Sequence, residues 1–180
     1  RYLPAQSTVL VTRPLVPGEC DAQGWTSDQM SFDSRTLLHY FRLMPDKRFL
    51  FGMRGGLRSS PSAEARSRAR LRADFEAMFP AWRHVPSDHS WSGLVCLARN
   101  KLPFVGAVPG QPGLFAGLCY HGNGVAIGTL SGQILAHLVC GTEPEHYPDA
   151  IRQPLRDFPL GRARRLLMPP LYALLALRDL

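Results

Sequence analysis

Apolar and polar positions first fall into register over Ser7–Leu15 (STVLVTRPL), where Val9, Leu10 and Val11 predict a strand ended by Pro14 and Pro17. Gly18–Met30 is polar and glycine-containing and reads as a loop with Trp25 as its one large anchor. Two aromatic runs follow, Thr36–Leu43 (TLLHYFRL) and Arg48–Arg54 (RFLFGMR). Met44-Pro45-Asp46-Lys47 between them places proline and aspartate where a turn takes them, so the pair predicts a β-hairpin. Period-two geometry sends His39, Phe41 and Leu43 to one face and Leu38, Tyr40 and Arg42 to the other. In the second strand Phe49, Phe51 and Met53 share a face, opposite Leu50, Gly52 and Arg54.

Gly55-Gly56 closes the hairpin, and Ser60-Pro61-Ser62 supplies a helix start with a capping serine and an early proline. The helix is expected to reach roughly Phe79, with Leu71, Phe75, Met78 and Phe79 as its inner stripe. Arg66, Arg68, Arg70 and Arg72 step around the helix rather than along one face, and read as solvated. Ser90–Ala98 predicts another strand, and Pro103–Gly106 a turn and link. Leu114–Tyr120 then reads as a strand buried on both faces, running into a glycine-dense turn, His121-Gly122-Asn123-Gly124. From Val125 to Cys140 the residues Ile127, Leu130, Ile134 and Leu138 recur at helical spacing. This helix carries almost no charge and is expected to be buried. Thr142–Pro159 reads as an extended connection. The tail Gly161–Leu180 has a basic start and an apolar part broken by Pro169-Pro170, and is expected to pack back on the protein rather than lie on a membrane.

A chain of 180 residues holds one domain or pieces of two, and its 45% hydrophobic content suffices for a core. The net charge of +7 comes mostly from arginines spread along the chain, without a recognition motif, which argues against a nucleic-acid partner. Cys20, Cys96, Cys119 and Cys140 are far apart and form no CxxC pair. They predict a reducing, cytoplasmic setting with neither zinc nor a disulfide framework. No apolar run approaches the roughly 18 residues of a membrane span. Six histidines form no close metal pair, so no metal site is expected. Asp88-His89-Ser90 is no triad, because triad groups converge from distant positions, and GxSxG is absent.

The strand–turn–helix at Leu114–Gly141 is the strongest candidate for chemistry. A helix start without side chains in the way lets backbone N–H groups face an anionic or electron-rich ligand, although such turns also serve plain packing. Gly122, Gly124 and Gly128 are spaced GxGxxxG, not GxGxxG, and no acidic residue after a further strand follows, so no first dinucleotide-binding βαβ unit is present.

The order of these motifs carries a resemblance. TRPL, then FDSRTLLHYFRLMPDKRFLFGMRGG, then an arginine-rich helix ending FPAW, then WSGLVCLARNKLPFVG, then LFAGLCYHGNGVAIGTLSGQILAHLVCG is similar to the C-terminal half of the D-amino-acid oxidase family of flavoproteins. Within it, the gamma-glutamylputrescine oxidoreductase-like branch is the nearest match. The resemblance implies an α/β (α+β) two-domain protein with noncovalent FAD. Residues 1–98 would belong to an antiparallel-sheet substrate domain, 99–141 to the closing strand and helix of a Rossmann-like FAD-binding domain, and 142–180 to a C-terminal tail. It implies that His121, Gly122, Asn123, Gly124, Val125 and Ala126 lie against the flavin, with Asn123 where the branch often has histidine. It implies His39 and Arg54 as substrate-facing residues; for His39 a purely structural role is the alternative. Val95 stands where amino-acid oxidases of the family place a carboxylate-binding arginine, which points to an amine or N-substituted amine as the small-molecule substrate. The implied reaction is hydride transfer to flavin, giving an imine that hydrolyses. The family's N-terminal pyrophosphate-binding unit has no counterpart here, so the sequence is expected to be a truncation that is inactive by itself. The alternative is a non-catalytic accessory subunit built from the same half-fold.

Overall fold

A computed structural model describes residues 1–56 and 58–179; Leu57, and Leu180 at the end of the tail, lie outside the described residues. The chain divides into two compact units: Gln6–Leu94 with the segment beginning at Met168, and Arg1–Ala5 with Val95–Leu167.

The first of these units is built on a sheet. Its elements are β1 (Tyr2–Pro14), the short helix α1 (Glu19–Gln23), β2 (Ser31–Phe32), β3 (His39–Leu43), β4 (Arg48–Arg54), α2 (Pro61–Met78) and β5 (Ser87–Ala98). The strand order is β2-β3-β4-β1-β5. β1 begins five residues before the expected start, and the chain passes from one unit to the other within β1 and again within β5. β3 starts at His39 rather than Thr36, because Asp33 accepts from the His39 N–H and holds the preceding residues in a turn. The loop expected over Gly18–Met30 contains α1, which begins and ends on left-handed glycines, Gly18 and Gly24.

The predicted hairpin forms with His39 opposite Met53, Phe41 opposite Phe51 and Leu43 opposite Phe49. All six are buried, as the alternation requires. α2 starts where expected: Ser60 Oγ accepts from the Ala63 N–H, and Pro61 occupies the first turn. It lays Leu71 and Phe75 on the hairpin, followed by Phe79. Phe49 is fully buried, with Trp82 and Phe79 rings at 4.7 and 4.8 Å and Trp25 edge-on at 5.5 Å. Burying each such aromatic contributes about 1.5–3 kcal/mol. Arg72 departs from the solvated reading. It donates to the carbonyls of Val85 and Arg83, pairs with Glu76, and lies over the Phe75 ring.

Two charged clusters sit in this unit. Arg13 grips Glu19 with two hydrogen bonds of 2.9 and 2.7 Å, and the Val16 N–H and His84 Nε2 add two more. The Arg13 bond above all holds the Glu19 carboxyl down at about 2, against the opposing effect of burial. His39, 4% exposed, stacks on Phe51 between two carboxylates, Asp33 at 2.8 Å from Nδ1 and Asp74 at 3.2 Å from Nε2. Burial opposes the charged ring, but the bonds from Asp74 and Asp33 outweigh it, and the His39 pKa is raised.

The second unit holds β6 (Phe104–Ala107), β7 (Phe115–Leu118), α3 (Gly124–Cys140) and α4 (Asp149–Arg152). β6 occupies the stretch expected as a link. It pairs antiparallel with β7, Val105 opposite Gly117, and Gly106 takes φ +153 under the Tyr147 hydroxyl. Two expectations are corrected here. β7 is only half-buried and Leu118 is 37% exposed, because β6 is its one hydrogen-bonded neighbour among the described residues. α3 is not buried either: Ser131 and Ile134 are its only buried residues, while Val125 and Val139 are 93% and 66% exposed. A two-stranded layer covers one stripe of a helix and leaves the rest in water.

A 3₁₀ segment, Gly161–Leu167, ends this unit, and α5 (Met168–Arg178) returns to the first. Pro169 and Pro170 do not break the helix, since they fall in its first turn, where the missing N–H groups have no partner to lose. Asp179 accepts from the Thr36 and Leu37 N–H groups at 2.8 and 2.9 Å and fastens the tail.

The two clusters titrate with opposite signs. A raised histidine pKa contributes stability that is fully present below the ordinary value of 6.5 and lost as pH climbs through the folded value. Urea unfolding midpoints should therefore decline on that alkaline limb, and His39→Phe should remove the decline. A lowered carboxylate contributes stability present above the ordinary 4.5 and lost as pH falls toward about 2. Glu19→Gln should cost about 1.5–3 kcal/mol at neutral pH and far less at the acid end, measured by the same midpoints.

Candidate cofactor turn and substrate face

The turn between β7 and α3 is shaped by three positive φ angles: Cys119 at 64°, His121 at 55° and Gly122 at 103°. The Asn123 N–H donates to the Tyr120 carbonyl at 2.9 Å, closing a four-residue turn whose central pair is His121-Gly122. Two successive positive φ values are the primed-turn pattern, which glycine meets without strain and other residues meet at a cost. Upstream, Gly117 lets β7 close on α3, since a Cβ there would stand 3.3 Å from that of Ser131 and would strike the Tyr120 hydroxyl.

His121 uses its ring to hold the turn in place: Nε2 accepts from the Ala98 N–H at the end of β5, 3.1 Å away. Accepting there puts the ring proton on Nδ1 in the neutral form. Asn123 lends no side-chain oxygen to the first turn of α3, so the N–H groups of Gly124, Val125 and Ala126 take no side-chain cap. Gly122, Asn123, Val125 and Ala126 are exposed, and His121 and Gly124 half-exposed. The arrangement is an open helix N-terminus, with its partial positive charge turned outward and no acidic side chain in its first turn. The six residues named from the sequence are thus contiguous around one accessible set of donors.

In the sheet unit the two other sequence-named residues separate. His39 points into the core between Asp33 and Asp74. Arg54, opposite Ser7 in β1, lies on the other face with Gly52 and Tyr40. The Tyr40 ring covers Gly52, where any Cβ would collide with it, and its hydroxyl meets Ser7 Oγ at 2.9 Å. Tyr172 of α5 has its hydroxyl pKa raised by burial, with the Arg54 charge acting the other way. Ser7, Tyr40 and Arg54 therefore make a polar group on the face turned away from the aromatic core. The sequence reading named Arg54 and missed Ser7 and Tyr40, although strict alternation already placed Tyr40 beside Arg54's face. Among the described residues no group of three His, Cys, Asp or Glu side chains is placed to hold a metal, and no helix is long and apolar enough to cross a membrane.

Comparison with known proteins gives this geometry a context. A profile of the family described as DAO, FAD dependent oxidoreductase, matches residues 1–138. The chain is 31% identical over 144 residues to "Probable oxidoreductase OrdL" of Haemophilus influenzae, covering 79% of this chain and 31% of that protein. It is 29% identical over 136 residues to "Gamma-glutamylputrescine oxidoreductase" of Escherichia coli, covering 74% and 30%. Among solved structures, glycine oxidase from Geobacillus kaustophilus superposes with a TM-score of 0.64 at 21% identity, over 87% of this chain and 40% of that one. The chain thus spans about a third of the length of the curated relatives it matches.

One substitution at two glycines should have opposite effects. Gly122→Ala places a Cβ on φ 103° and should destabilise the chain by about 1–2 kcal/mol. Gly128→Ala, on the open side of α3, should stabilise it by about 0.5–1 kcal/mol. Urea unfolding of the two variants beside the parent chain measures both signs.

Proposed function

We propose that this chain, which belongs to the DAO family of FAD-dependent oxidoreductases, serves the oxidation of the C–N bond of an amine or N-substituted amine of the gamma-glutamylputrescine type. The observation that carries the reading is the open N-terminus of α3, whose uncapped donors suit an electron-rich group such as a flavin ring. Gly122 and Gly124 admit close approach of such a ring, while His121, spent on Ala98, keeps the turn from drifting. FAD, when bound, supplies the two-electron acceptor.

The rest of the task is positioning, and the sheet unit carries groups suited to it. Tyr40 is fixed by Ser7 and by its seat over Gly52, so its ring and hydroxyl form a rigid wall for a small substrate. Arg54 supplies a cation for an acidic group remote from the reacting nitrogen, as a gamma-glutamyl substrate has. Val95, where the family's amino-acid oxidases place an arginine, favours an amine over a free amino acid as the reacting end. His39 serves as a positioning residue within the core rather than as a substrate contact.

An absorbance spectrum of the full-length protein that carries this chain, after reconstitution with FAD, tests the reading. A flavin band should appear and bleach anaerobically with gamma-glutamylputrescine but not with simple amino acids. Arg54→Met should raise KM about tenfold, near 1.4 kcal/mol, with kcat little changed. Protein that stays colourless would overturn the enzyme reading in favour of an accessory subunit.

A further inference from the structure

Cys96 and Cys119 are separated by the whole β6–β7 hairpin in sequence, yet their Sγ atoms lie 3.3 Å apart. Both belong to the unit containing Val95–Leu167, so the approach is a property of that unit's own fold. A disulfide needs a separation of about 2.05 Å, so an approach of 3.3 Å leaves little more than an ångström to close. The two sulfurs are unequal: Cys96 is half-buried in β5, whereas Cys119 is 1% exposed. Cys119 is also a non-glycine residue held at φ 64°, directly after β7 and two residues before His121.

We propose that Cys96 and Cys119 form a redox-active dithiol, which a hydroperoxide oxidises to an intrachain disulfide fastening the end of β5 to the turn before α3. Cys96 is the sulfur an oxidant can reach. Its thiolate attacks a peroxide oxygen, the O–O bond breaks, and with hydrogen peroxide one water leaves as Cys96 becomes a sulfenic acid. The Cys119 sulfur then attacks the Cys96 sulfur, the S–S bond forms and the S–O bond breaks. The departing hydroxyl carries off the Cys119 proton as a second water. Two thiols have lost two electrons and one hydrogen peroxide has become two waters. Burial, and after it the neighbouring Cys96 sulfur, pushes the Cys119 thiol up to about 12, which keeps it protonated and inert toward oxidants until its partner has reacted. His121 already joins the turn to Ala98, two residues beyond Cys96, so the disulfide would add a covalent tether beside that hydrogen bond. None of this depends on the turn serving a flavin.

The experiment uses the 180-residue chain carrying Cys20→Ser and Cys140→Ser, treated with one equivalent of hydrogen peroxide. Both remaining thiols should disappear together, with a mass loss of two hydrogens that dithiothreitol reverses. Adding Cys119→Ser should stop the reaction at a Cys96 sulfenic acid trapped by dimedone. A non-reducing peptide map of the unsubstituted chain should contain the Cys96–Cys119 cross-linked peptide, which keeps the test decisive if the serine variants fold poorly. Two persistent thiols, or oxygen added to either cysteine without the cross-linked peptide in that map, would overturn the proposal.

Discussion

A β-strand has two faces and no third, and that constraint arranges the sheet unit. Along β3 and β4 the odd positions carry His39, Phe41, Leu43, Phe49, Phe51 and Met53, and all of them are buried. With these committed to the core, the even positions have to present Tyr40, Gly52 and Arg54 to the opposite side. α2, Trp25 and Trp82 follow from the first set, since each closes on the phenylalanines. Slipping one residue in the register would exchange core and polar face together, so the aromatic packing that stabilises the sheet also aims its polar side.

Charge is handled by pairing rather than by exposure alone. The chain is strongly basic, yet Glu19 and His39, the buried acid and the buried histidine among the described residues, are each held by partners of opposite sign. Glu19 links the end of β1, α1 and the segment containing His84, and its own carbonyl accepts from Trp82 Nε1 at 2.7 Å. His39 links β3 to α2 through Asp74. Such bonds add little net energy beyond what desolvation takes away, but each fixes how one element meets the next.

Much of this was legible beforehand, for local reasons. The hairpin, its turn and the serine–proline start of α2 announce themselves because neighbouring residues determine them. Alternation also assigned His39 to the phenylalanine face; its place as a substrate contact came from family resemblance, and the core position of its ring shows why the two readings diverge. β6 was hidden because Pro103 and Gly106 read as breakers, whereas Pro103 precedes the strand and Gly106 is needed under Tyr147. The exposure of α3 was not legible, because an uncharged helix signals a surface to be covered without naming the cover. The meeting of Cys96 with Cys119 depends on strand pairing, which sequence spacing does not encode.

The position of β1 has a consequence for how the chain is made. It lies between β4 and β5, with Ser7 opposite Arg54 and Thr8 bonded to Ser92, 84 residues later. On a ribosome β1 therefore emerges before either neighbour exists. The β3–β4 hairpin and α2 can collapse locally, but β1 stays half-satisfied until β5 has left the exit tunnel. Synthesis leaves β1 without its β5 neighbour over that interval, so premature pairing of β1 with another nascent chain is a misfolding route against which the order of translation gives no protection.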